Sequence, residues 1–129
     1  MKDVVSETLK KWRQTSFGYD NQNDCLLSLA DYLIDCGYPD FGKKFRGTFS
    51  DEKGALDYIS KYGSVENIID ETSLIVVSEP KRGDIVLIKF TDENFLAGIF
   101  TGSSVMFRST AGVLNMGVSA CRITKVWNV

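Results

Sequence analysis

Histidine is absent from the chain. The residue most often used as a general base at neutral pH, and the nitrogen ligand of most zinc hydrolases, is therefore missing. Apolar runs are short, and none approaches the roughly 20 residues that a membrane span requires. Cysteine is scarce: Cys25, Cys36 and Cys121 form an odd set without tight spacing. That pattern suits neither a disulfide framework nor a zinc site, so reduced, mostly buried thiols are expected. Charge of one sign is not in excess. A net charge of −2 without like-charge blocks argues against the basic face of a nucleic-acid binder. There is no internal repeat and no low-complexity segment. The opening Met1–Glu7 is too polar for a signal peptide, so a chain made and folded in a cytoplasm is expected.

What is present suits one soluble domain covering residues 1–129, with 43% hydrophobic and 25% charged residues. Val5, Leu9 and Trp12 recur at helical spacing, which predicts an amphipathic helix from residue 3 to about 15 with Asp3 as its cap. A polar loop, residues 16–23, leads to a second helix capped by Asn23 or Asp24. Leu26, Leu29, Ala30 and Leu33 form its stripe, widened by Leu27 and Ile34. A helix apolar on more than one side is expected at the centre of the fold, and Gly37 is expected to end it. The connector from Tyr38 to Phe49 brings three phenylalanines. Its aromatics suit either core packing or a contact patch, and Arg46 suits a tether to loop carbonyls or a carboxylate.

Ser50 is expected to cap a third helix, with Asp51 and Glu52 in its first turn and Ala55, Leu56, Ile59 and Tyr62 on its apolar face. Ser64 opens a short fourth helix over Val65–Asp70. Thereafter the composition turns β-branched. Strands are expected over residues 73–77, 84–90, 95–101, 104–109, 113–116 and 122–127, with turns at Gly102-Ser103 and Ala111-Gly112. Helices first and an antiparallel meander after them predict an α+β fold.

The candidate chemistry sits at Asn23-Asp24-Cys25, where the loop meets the second helix. A thiol in the first turn of a helix is placed where a thiolate is stabilised. Asp24 reads as a cap rather than an acid, and Asp84 as a strand-entry residue that tethers a loop. Asp20, Asp24 and Asp31 do not have the spacing of a calcium loop, so no metal or other cofactor is expected.

These motifs resemble those of the NlpC-type cell-wall peptidases with a papain-like fold. Asp24-Cys25 matches the helix-start motif of that superfamily, and Gly83-Asp84 matches the opening of its first core strand. Its next strand commonly reads His-Val-Gly-Ile-Tyr, where this chain has Leu96-Ala97-Gly98-Ile99-Phe100. A second resemblance spans nearly the whole chain. Asn23-Asp24-Cys25, Arg46-Gly47-Thr48-Phe49, Gly54-Ala55-Leu56, Gly83-Asp84-Ile85-Val86 and Val126-Trp127-Asn128-Val129 follow the order of motifs in a small phage and prophage family of unknown function, often encoded among tail genes.

The resemblance implies a papain-like fold, with helices packed on a C-terminal antiparallel sheet and Cys25 at the nucleophile position. It also places Leu96 where the histidine base belongs. Leucine cannot shuttle a proton. Lys89 would need strong burial to act as a base, and Arg108, on the strand where an orienting residue is expected, stays protonated. The expected function is an inactive domain that serves as a structural or interaction protein of a phage tail. It would be made in the host cytoplasm and incorporated in the virion, with other tail proteins as partners, no nucleic acid and no membrane insertion. Two alternatives stay open: an active cysteine hydrolase of peptidoglycan using Cys25, and an inhibitor of a host protein.

Overall fold

The computed structural model describes residues 3–18, 24–92, 94–109 and 112–129. Four helices precede the sheet: α1 (Val4–Gln14), α2 (Cys25–Asp35), α3 (Glu52–Lys61) and α4 (Val65–Asp70). The strands are β1 (Ile75–Val77), β2 (Ile85–Lys89), β3 (Phe95–Phe100), β4 (Ser104–Ser109), β5 (Gly112–Gly117) and β6 (Ile123–Asn128), with a single 3₁₀ turn at Val118–Ala120. The fold is α+β. No helix among the described residues is long and apolar enough to cross a membrane.

Helix α2 is the central element. Leu26, Leu27, Leu29, Ala30, Tyr32 and Leu33 are all buried, so several of its faces are covered. Both ends are closed by local chemistry. At the start, Asp24 Oδ1 accepts the N–H groups of Leu26 and Leu27, each at 3.0 Å. At the end, Gly37 takes a left-handed φ of 93°. Its N–H then reaches Ile34 O, while the Tyr38 N–H reaches Leu33 O, which satisfies carbonyls that the helix leaves open.

The strands form one antiparallel six-stranded sheet in the order β1-β6-β2-β3-β4-β5. This corrects the expected simple meander: β6 returns to lie between β1 and β2. Trp127 on β6 is fully buried in the core, and its indole N–H donates to Asp70 Oδ1 of α4 at 2.9 Å. Lys125 Nζ reaches Asp70 Oδ2 at 2.7 Å. Asp84 is the anticipated tether. Its buried carboxylate accepts from Lys81 N, Asn128 Nδ2 and Val129 N, which holds the entry to β2 against the end of β6.

Both faces of the sheet are apolar. Ile85, Leu87, Ile99, Met106 and Trp127 pack with α1 and α2. Val86, Ile88, Phe100, Val105, Phe107 and Val126 form a cluster on the other face, with Met116 and Cys121 against it. A third cluster joins Leu26 and Leu27 to Phe45, Phe49, Ala55 and Ile68. Phe45 meets Tyr58 edge-on at 4.9 Å between ring centroids. The connector aromatics therefore serve packing rather than an exposed contact patch: Phe45 and Phe49 are buried, and Tyr38 and Phe41 are half-buried. Arg46 ties the connector to α2 through Asp40 (2.9 Å) and Asp31 (2.7 Å).

Some local expectations change. Asp51, not Ser50, caps α3 by accepting the Gly54 N–H. Asp3 stands at the cap position of α1, but its carboxylate binds Ser6 Oγ and Arg82 instead of a backbone N–H. Ile34 and Leu56 face solvent, at 43% and 56% exposure, because α2 and α3 each leave one side of the apolar stripe uncovered. Asn23, Asp20 and Ala111 lie outside the described residues.

Strands β3 and β4 pair at Ile99–Met106 and Phe100–Val105, and among the described residues the ladder goes no further toward Phe95. Gly98 stands where they part. A Cβ there would meet Met106 O at 2.6 Å and Val105 Cγ1 at 2.8 Å. Backbone cannot retreat as a side-chain tip can, so Gly98→Ala should destabilise the fold by about 1–3 kcal/mol, seen as a lower urea midpoint with an unchanged slope.

Candidate functional site

The split between β3 and β4 is where the first turn of α2 arrives. Cys25, Leu26 and Leu29 from α2 line a cavity there with Val65 of α4, Phe95, Leu96 and Ala97 of β3, and Phe107 and Arg108 of β4. Arg108 belongs to the helix side of the sheet, and Leu96 and Phe107 to the opposite side. Both reach the cavity because the strands have separated. Sequence reasoning paired Cys25, Leu96 and Arg108, and the structure brings these three around one space.

That space is small and mostly apolar. Its volume is about 40 Å³. Small-molecule sites usually hold several hundred Å³, so this one admits at most a water or two. Lys89, weighed as a substitute base, is not among the lining residues and faces Asp92 at 3.7 Å. Among the described residues, no acid or base other than Cys25 and Arg108 lines the cavity.

The thiol itself is the reverse of activated. Burial, and next the negative charge of Asp24, push the Cys25 thiol from 9.0 up to about 11. Backbone N–H groups of Cys25 and Leu26 act in the opposite direction and lose. The helix start does favour the thiolate, but burial outweighs it. At neutral pH roughly one molecule in ten thousand carries the thiolate, which is the nucleophilic form. Among the described residues, no other lining group is placed to take the proton.

Asp24 acts as a cap, as anticipated. It is almost fully buried; Oδ1 holds two backbone N–H groups, and Oδ2 has no hydrogen-bond partner among the described residues. Burial raises its pKa, against the capping bonds. Asp31 holds Arg46, so the aspartates that were considered for a metal are engaged elsewhere where they are described. Arg108 donates to the carbonyl and hydroxyl of Thr15, closing the C-terminal end of α1. Its isolation inside the protein had no sequence signal beyond a charge among apolar strand residues. All three thiols are free; Cys36 and Cys121 are half-buried, each packed against one of the sheet-face clusters.

Two outcomes follow from this chemistry. In mass-spectrometric labelling with iodoacetamide at pH 8, the Cys25 peptide of the native protein should react at least about a hundredfold more slowly than in the denatured chain, and the native rate should climb as pH approaches 11. Comparable rates in the two states would contradict the half-buried, neutral thiol. Asp24→Ala should lose about 1–2 kcal/mol, and Asp24→Asn less, because the amide oxygen still caps without a buried charge. The folded pKa of Asp24 is raised, so wild type should gain stability relative to Asp24→Asn as pH falls through that raised value toward 3.8. Urea unfolding at several pH values checks both the order and the sign.

No curated protein matches the chain. A family described as Domain of unknown function (DUF6950) matches residues 1–129. The chain belongs to that family, over its whole length.

Proposed function

We propose that this domain is a catalytically inactive relative of the NlpC-type, papain-like peptidases, used as a structural or interaction protein of a phage virion, at the tail tip or in tail assembly. One observation supports the inactive reading most directly. Leu96, the residue that the resemblance sets in the place of the histidine, lines the same cavity as Cys25 and Arg108. The layout of a cysteine at a helix start against an antiparallel sheet suits a papain-like ancestry. The neutral thiol, the absence of histidine and a cavity of about 40 Å³ support the inactive reading over acyl transfer. Such a domain contributes shape and surface. Its partners on this reading are other tail proteins, and its place is the virion after synthesis in the host cytoplasm.

Mass spectrometry of particles purified from the phage or induced prophage that encodes the chain tests this reading. The protein should co-purify with the particles at a copy number typical of a tail component. Purified protein should leave peptidoglycan intact, and Cys25→Ala should assemble as wild type does. Absence from particles together with capture of one host protein would favour the inhibitor reading instead. Peptidoglycan cleavage that Cys25→Ala abolishes would sink the inactive reading.

A further inference from the structure

Arg108 has more donors than the cap of α1 uses. The residue is only 5% exposed. Burying a guanidinium is costly unless an anion and hydrogen bonds compensate it. Here Nη2 donates to Thr15 O and, at 2.8 Å, to Thr15 Oγ1. Nε and Nη1 have no partner among the described residues, yet neither is among the fully covered atoms that lack one. Arg108 lines two cavities.

The cavity beside Cys25 is too small to matter. The other is larger, about 290 Å³, and lies between α1, α2 and β4. Trp12 and Tyr32 give it apolar walls, and Ile34 stands exposed among its lining residues. Its acidic groups are already matched by cations. Asp35 pairs with Lys11 at 2.8 Å, and Asp31 with Arg46 at 2.7 Å. No carboxylate among the described residues comes within ion-pair distance of Arg108; Asp24 and Asp31 act on it only through space, and burial outweighs them in lowering its pKa. The cavity therefore holds one unmatched, forked cation beside aromatic carbon.

We propose that this cavity is a binding site for a small carboxylate, gripped by the free side of the Arg108 fork with its carbon portion against Trp12 and Tyr32. A planar fork suits a carboxylate in two-point contact. With Lys11 engaged by Asp35, a single positive charge remains, which suits a monoanion better than a phosphate dianion. The carboxylate belongs either to a free organic acid or to the C-terminus of a peptide. The site does not depend on Cys25, so it stands apart from the reading of the inactive centre.

Ligand-observed NMR titration, with melting temperature in parallel, tests the proposal on the full chain. The probes are acetate, N-acetylglycine, N-acetylglycinamide and inorganic phosphate. Saturable binding of one or both acids is expected at roughly millimolar affinity, with a rise in melting temperature and no response to the amide. N-acetylglycine tighter than acetate identifies a chain terminus as the source, and parity identifies a free acid. Arg108→Gln should abolish binding. Because that variant also removes the cap of α1, Ile34→Trp provides a second: it fills the cavity mouth from an exposed position and should weaken binding at least about fivefold without lowering stability. Lack of saturable binding by either acid, an equal response to the amide, tighter binding of phosphate, or unaltered affinity in Ile34→Trp would each overturn the proposal.

Discussion

The burial of α2 is the constraint on which the remaining structure depends. A helix with leucine on several faces cannot lie wholly at a surface, so the chain covers most of it and leaves Ile34 and Asp35 exposed at its end. The sheet takes one side through Leu29 and Leu33, and the connector and α3 take another through Leu26 and Leu27. Polar tethers then fix its orientation. Asp31 holds the connector through Arg46, and the Tyr32 hydroxyl donates to Gly83 O at the approach to β2. Both helix ends are closed by local hydrogen bonds, which fixes Cys25 at the first turn.

The same burial decides the chemistry. A helix N-terminus favours a negative charge by about 0.3–1 kcal/mol at a surface. A shift of the Cys25 thiol from 9.0 to about 11 corresponds to about 3 kcal/mol in favour of the neutral form. Desolvation wins because the thiol lines a mostly apolar cavity with no ion-pair partner among the described residues. Leu96 lines the same cavity, and an apolar side chain neither accepts a proton nor offsets a charge.

Much of this arrangement was legible in the sequence where the signal is local. Asp24, Ser64 and Gly37 marked helix ends because caps and left-handed terminators act within a few residues. Along β4, Val105 and Phe107 pack on one face of the sheet and Met106 on the other, as two-residue alternation requires. Less legible was anything that depends on distant partners. Ser50 and Asp51 are both competent caps, and only backbone geometry chooses between them. Ile34 and Leu56 belong to apolar stripes, but whether a stripe is fully covered depends on what packs beside it. The insertion of β6 between β1 and β2 left no periodic trace. It is set by Trp127 reaching Asp70 and by Asp84 binding the end of the strand.

The amino-acid order by itself determined that the chain is α+β, that α2 is central, that a thiol stands at its first turn and that no histidine can serve it. These are consequences of periodicity, capping chemistry and composition. Tertiary structure alone decided that β3 and β4 part beside that thiol, that Leu96 and Arg108 share its cavity, and that Arg108 is enclosed without a carboxylate within ion-pair reach among the described residues. Desolvation and charge matching depend on what surrounds a group in three dimensions, and that is written only in the packing of elements far apart in the chain.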